Sequence, residues 1–130
     1  DPNVSCLVVS FFENEHLDEY LHASGQSLTE ADVAVLNKYD ELIAGTHCFS
    51  SCGDCLNSCP ESLPINDVLR HRMYFEDYGD EKEAMLLYAA LDKQADKCVT
   101  CSAPCTGACP EDIDIKLRMV GAHERLTMIA

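Results

Sequence analysis

Apolar residues follow two different spacings along the chain. The run VSCLVVSFF at residues 4–12 is apolar almost throughout and rich in β-branched and aromatic side chains. A continuous run of this kind is typical of a parallel-sheet strand that is buried on both faces. Residues 13–24 then place apolar side chains at helical spacing, and Gly25 follows as a stop signal. The pattern therefore predicts one strand–helix unit over residues 1–27.

Helical spacing continues over residues 28–130. A helix is predicted over about residues 29–44, where Ser27 and Thr29 precede Glu30 and Asp32 in a capping-box pattern. Further helices are predicted after Ile65, over residues 81–95 and after Asp112. The expected fold class is therefore mainly α.

The strand at residues 4–12 has no partner strand in this pattern. A parallel strand needs neighbours on both sides and helices on both faces. No start methionine precedes Asp1 and Pro2. We therefore expect the chain to be the tail of a longer protein.

Eight of the nine cysteines form two quartets, each of which ends in Cys-Pro: Cys48, Cys52, Cys55, Cys59 and Cys98, Cys101, Cys105, Cys109. The spacings are CxxxCxxCxxxCP and CxxCxxxCxxxCP, and each has one residue more than the bacterial-type cluster motif CxxCxxCxxxCP. An odd cysteine count does not fit a closed set of disulfides, whereas clustered spacings suit thiolates that bind metal in a reducing compartment. We therefore expect a cytoplasmic metal-binding protein.

The compact quartets predict two 4Fe-4S clusters, because closely spaced thiolates can wrap one face of a cubane. The alternative is a pair of all-cysteine zinc sites, although zinc modules usually separate two CxxC knuckles by a longer insert. In two-cluster ferredoxins the fourth cysteine of each motif binds the cluster of the other motif. Crossing of this kind predicts the ligand sets Cys48, Cys52, Cys55, Cys109 and Cys98, Cys101, Cys105, Cys59. The uncrossed assignment, in which each quartet closes on itself, stays open.

The two quartets lie in segments that resemble each other, CFSSCGDCLNSCPESLPINDVLRHRM and CVTCSAPCTGACPEDIDIKLRMVGAH. This similarity indicates an internal duplication. Residues 63–65 and 113–115 are expected to place apolar side chains over the clusters and exclude water. His47, beside Cys48, could tune or bind a cluster, but an orienting or exposed loop residue is the favoured interpretation.

Acidic residues outnumber basic ones by 23 to nine, which gives a formal net charge of -14. Such a charge repels nucleic acid and anionic lipid, so neither is an expected partner. No apolar stretch approaches the roughly 20 residues that a membrane span needs. The expected partner is a redox protein or a barrel domain with a basic docking surface.

Taken together, the segments VSCLVVSFFENEHLDEYLHASG and LTEADVAVLNKYDELI and the two quartets resemble the C-terminal region of the iron–sulfur branch of the aldo/keto reductase family. The resemblance implies that residues 1–25 are the last strand and helix of a (β/α)8 barrel. The remainder is implied to be a helical ferredoxin-like module around two cysteine-rich loops. The catalytic Asp, Tyr, Lys and His of that family match no position in this chain.

Three functions are compatible with these patterns. The leading hypothesis is an electron-transfer domain of an oxidoreductase, which relays single electrons through two 4Fe-4S clusters. A second is a structural or interaction module whose all-cysteine metal sites hold a docking surface together. A third is a free-standing ferredoxin-like carrier. None of them assigns a catalytic residue to this chain.

Overall fold

The computed structural model describes residues 3–49 and 51–127. Their α-helices are α1 Asn14–Ala23, α2 Glu30–Ile43, α3 Ile65–Glu76, α4 Glu81–Ala89, α5 Pro104–Gly107 and α6 Ile115–Leu126. Two short 3-10 segments, Leu56–Ser58 and Ala95–Val99, lie between them. The mainly α expectation is confirmed. None of the helices in the described ranges is both long and apolar enough to cross a bilayer.

The chain divides into two compact units, Asp1–Leu42 and Ile43–Ala130. The sequence pattern places a domain boundary at 27/28 instead, and that division stays a prediction. The second unit contains both cysteine quartets, so the candidate site lies within it.

In the first unit, helix α2 begins as its capping box predicts. The Thr29 N–H donates to the Asp32 carboxylate at 2.8 Å, and the Asp32 N–H donates to the Thr29 hydroxyl at 3.2 Å. These hydrogen bonds with Thr29 also lower the pKa of Asp32. The observed helix, Glu30–Ile43, lies within one residue of the predicted one at each end.

The strand predicted over residues 4–12 is not formed among the residues that the structure describes. This segment has no regular secondary structure, whereas the helix predicted after it is observed as α1. A parallel strand forms only when neighbouring strands satisfy its backbone groups, and residues 3–42 supply none. Residues 3–42 also contain no buried side chain, so the apolar run of this unit stays exposed.

The core of the second unit lies where α3, α4 and α6 pack against one another. Its fully buried side chains include Val68 from α3, Tyr88 from α4 and Met119 from α6. The helix predicted over residues 81–95 ends early, at Ala89. The reason is a tertiary contact: the Ala95 N–H donates to the Tyr88 hydroxyl at 2.8 Å, and the next 3-10 segment begins there.

Helices α3 and α6 are equivalent parts of a repeated unit. Each has 12 residues, and each begins at an isoleucine six positions after the last cysteine of a quartet. The Ile65 N–H donates to the Leu63 carbonyl at 2.9 Å, and 50 positions later the Ile115 N–H donates to the Ile113 carbonyl at 2.8 Å. The backbone therefore repeats its geometry in the two halves, as an internal duplication predicts.

Candidate metal centres

Two cavities of the second unit are each lined by four cysteines. We call them the first cavity, with Cys48, Cys52, Cys55 and Cys109, and the second cavity, with Cys59, Cys98, Cys101 and Cys105. All eight cysteines are free thiols. Each cavity thus brings together three cysteines of one quartet and the last cysteine of the other.

A repeated turn directs the last cysteine of each quartet. The Ser62 N–H donates to the Cys59 carbonyl at 3.1 Å, and the Asp112 N–H donates to the Cys109 carbonyl at 3.3 Å. Ser62 and Asp112 have φ angles of 52° and 53°, in the left-handed region that few side chains adopt. The Cys-Pro step and this left-handed residue turn the chain towards the helix that follows.

The third cysteine of each quartet is the deepest. Cys55 and Cys105 are 6% and 7% exposed. Each begins a short turn: the Ser58 N–H donates to the Cys55 carbonyl and the Ala108 N–H donates to the Cys105 carbonyl, both at 3.2 Å. The other lining cysteines are half-buried, except Cys48, which is exposed.

Apolar side chains cover both cavities. Ile113 and Ile115 line the first cavity, and Leu63 and Ile65 line the second. All four are buried. The expectation that residues 63–65 and 113–115 place apolar groups at the cysteine sites is confirmed. Each apolar pair lies in the same cavity as the last cysteine that precedes it in the chain, together with three cysteines of the other quartet.

Burial suppresses ionisation of the thiols. It raises the pKa of Cys55 to about 11 and the pKa of Cys98 to about 11, and nearby thiols add to both shifts. Burial also raises the pKa of Cys48 and of Cys105. These four thiols are therefore protonated at neutral pH when no metal is bound, and metal binding releases their protons.

Two side chains hold the loops at the second cysteine of each quartet. The Asn66 amide donates to the Cys52 carbonyl, and Lys116 Nζ donates to the Cys101 carbonyl at 2.7 Å. Asn66 and Lys116 occupy equivalent positions of the duplication, one residue into α3 and α6. Sequence reasoning did not single them out; aligning the two halves position by position would have paired them.

Backbone N–H groups also point at cysteine sulfur. The Leu63 N–H donates to Cys59 Sγ at 3.4 Å, and the Ala103 N–H donates to Cys101 Sγ at 3.3 Å. Hydrogen bonds of this type stabilise a thiolate and influence the reduction potential of a cluster that it binds.

His47 lies outside both cysteine cavities. Its Nδ1 is 2.7 Å from the Thr46 hydroxyl, and its Nε2 is 3.8 Å from the Asp77 carboxylate. The favoured interpretation, an exposed or orienting loop residue, is confirmed. Cys6, which lies in the segment predicted to be a buried strand, is exposed.

The donors at each cavity fit a 4Fe-4S cluster, which takes four cysteine thiolates. Over residues 3–49 and 51–127, no group of three or more His, Cys, Asp or Glu side chains is arranged to hold a metal ion. The cysteines instead line the walls of the two cavities. In a 4Fe-4S cluster each thiolate binds a different iron, so the sulfurs need not meet at one point.

Comparison with known proteins gives one match. The family model of the 4Fe-4S dicluster domain matches residues 47–113, a little more than half of the 130-residue chain. The matched stretch contains both quartets. No curated protein and no solved structure gave a match. On the family match, the chain belongs to the 4Fe-4S dicluster domain family and is an iron–sulfur protein with an electron-transfer role.

Proposed function

We propose that the chain holds two 4Fe-4S clusters and relays single electrons through them to or from a redox partner. The observation that carries the proposal is the pair of cavities, each lined by four free cysteines. When bound, such clusters supply one-electron redox chemistry. The role of this chain is to bind them, orient them and control their access to water.

The ligand sets of the proposal are the crossed ones. Cys109 completes the set of Cys48, Cys52 and Cys55, and Cys59 completes the set of Cys98, Cys101 and Cys105. The lining of the two cavities supports this assignment. Crossing also couples the folding of the two halves, because neither quartet completes a site alone.

The surrounding residues have separable tasks in this function. The buried side chains of Leu63 and Ile65 at one cavity, and of Ile113 and Ile115 at the other, exclude water and lower the local dielectric. The N–H groups that point at Cys59 and Cys101 sulfur place positive dipole ends beside the thiolates. Both effects act on the reduction potential.

We also propose a larger setting for this module. Its resemblance to the C-terminal region of iron–sulfur aldo/keto reductases supports a role as the electron-transfer domain of such an oxidoreductase in the cytoplasm. Residues 1–25 would then contribute the last strand and helix of the barrel. The formal net charge of -14 supports a redox partner or barrel domain with a basic docking surface.

The deciding experiment is elemental analysis with absorption spectroscopy on the anaerobically purified chain. We expect a brown protein with about eight iron and eight sulfide per chain, since each 4Fe-4S cluster contains four of each. A colourless, zinc-containing and sulfide-free protein would contradict the proposal. An EPR-monitored redox titration then separates a relay from a structural module, because a relay requires clusters that are reduced at accessible potentials.

The proposal that this module belongs to a larger oxidoreductase has a separate test. We expect the native polypeptide to be longer than 130 residues and to include further barrel strands. Its intact mass measures this directly. A native chain of about this length would instead indicate the free-standing carrier.

A further inference from the structure

Asn66 and Lys116 do the same structural work at equivalent positions of the duplication. Each stands directly after the isoleucine that begins its helix, and each is half-buried. Each donates from its side chain to the carbonyl of the second cysteine in the preceding quartet. The two halves therefore differ here in charge and not in the hydrogen bond that is made.

The charge difference extends to the cavity walls. Lys116 lines the second cavity together with Lys97 and Glu61, whereas the first cavity has Glu111 and no lysine or arginine in its wall. Lys97 is exposed and pairs with Asp96 at 3.3 Å, so solvent and Asp96 both screen its charge. Lys116 is thus the half-buried cation that is fixed at the second cavity.

The first cavity has three arginines nearby, although none lies in its wall: Arg70, Arg72 and Arg118 line an adjoining pocket that also contains Cys48. Arg70 opposes the burial that raises the pKa of Cys48, and the half-buried Arg118 donates to the Gly45 carbonyl at 2.9 Å. Arg70 is exposed and lies outside the wall of that cavity. Solvent and salt therefore screen its charge more than they screen that of Lys116.

A fixed cation changes the energetics of reduction. When a cluster accepts one electron from the redox partner, the site gains one negative charge. A cation held beside the site stabilises this reduced state more than the oxidised state, and the effect grows in the low dielectric of a partly buried position. An asparagine that makes the same hydrogen bond adds no such charge.

We propose that Lys116 is a tuning residue, which raises the reduction potential of the cluster at the second cavity above the value that an asparagine at this position would give. The inference rests on the proposed function, because it requires both clusters. It attributes one difference between the reduction potentials of the two sites to the side chain at this repeated position.

The experiment exchanges the two side chains in the full chain. K116N removes the charge, and asparagine makes the corresponding carbonyl hydrogen bond at the equivalent position of the first half. N66K adds the charge at the first cavity. K82N is the control, because it removes one lysine from the exposed surface of α4, outside both cavity walls. Both midpoint potentials of each variant are measured by EPR-monitored redox titration.

We expect K116N to lower one midpoint potential, with a change of about tenfold in the reduction equilibrium, or about 59 mV for one electron. N66K should raise the other potential, and K82N should move neither. Two reducible clusters whose potentials do not respond to K116N or N66K would overturn this inference alone. If K116N and N66K both shift the same midpoint potential, the inference is also overturned. A wild-type chain without iron and sulfide would overturn the proposed function as well. If K116N assembles no clusters, N66K alone tests the inference, and unchanged potentials in N66K would overturn it.

Discussion

The hydroxyl of Tyr88 lies 2.7 Å from Nδ1 of His123, which ties helix α4 to helix α6. The same hydroxyl accepts the N–H of Ala95 at 2.8 Å, just before the cysteines of the second quartet. Tyr88 is fully buried. One hydroxyl therefore connects the helical core to the segment that carries Cys98.

Replacement of Tyr88 by phenylalanine tests this connection. Y88F keeps the ring but leaves the buried Ala95 N–H without its acceptor, so we expect the free energy of unfolding to fall by about 1–3 kcal/mol. Anaerobic denaturant titration monitored by circular dichroism measures the change. Y78F is the matched control, because Tyr78 is 71% exposed. Equal stability of Y88F and Y78F would show that the hydroxyl network contributes nothing.

His71 gives the fold a dependence on acid pH. Burial lowers the pKa of His71 below its ordinary value, and its Nδ1 has no hydrogen-bond partner. The unfolded chain therefore binds a proton at higher pH than the folded chain does. The stabilising contribution is full above the unfolded pKa of about 6.5 and is lost as the pH falls through the lower folded pKa.

We expect H71L to remove this part of the pH dependence. Stability of wild type and H71L is measured at several pH values between about 7 and 5, the window around the ordinary histidine pKa. The difference between them should shift in favour of H71L as the pH falls. H22L serves as control, since His22 is exposed on α1. A pH profile that H71L leaves unchanged would contradict the assignment.

The apolar cover of the cavities should be costly to truncate. Ile65 and Ile115 are each 1% exposed, so I65A and I115A should each lower the free energy of unfolding by about 2–5 kcal/mol. Both should also admit water to the clusters and shorten their lifetime in air. The control is L117A, because Leu117 is 69% exposed. The decay of the cluster absorbance follows the second effect, and decay at the wild-type rate would argue against a water-excluding role.

Local patterns predicted most of the helices, because their signals are contained within them. Thr29 and Asp32 mark the start of α2 through a reciprocal capping interaction over three residues. The helix over residues 81–95 was predicted too long, since its end depends on Tyr88 meeting Ala95 after the chain has turned. The strand over residues 4–12 needs neighbouring strands, and residues 3–49 and 51–127 contain none, so no local pattern could decide whether it forms.

The candidate site also has features that the sequence predicts and features that depend on tertiary structure. Motif spacing identified all eight cysteines and left two pairings open, because spacing does not say where a loop points. The positions of Cys59 and Cys109 depend on turns at Ser62 and Asp112 and on the packing of two helices. Asn66 and Lys116 act on carbonyls 14 and 15 residues away, and such contacts exist only once the loops have closed.

The crossed ligand sets make a prediction that needs no prior assignment of spectra. C59A and C98A should lose the same EPR signal, because both remove a ligand from the second cavity. C48A and C109A should lose the other signal. The uncrossed assignment pairs the variants differently, with C59A matching C48A. C6A is the control that removes a cysteine outside both quartets and should keep both signals. Matching losses in C59A and C48A would overturn crossing and would indicate that each quartet binds its own cluster.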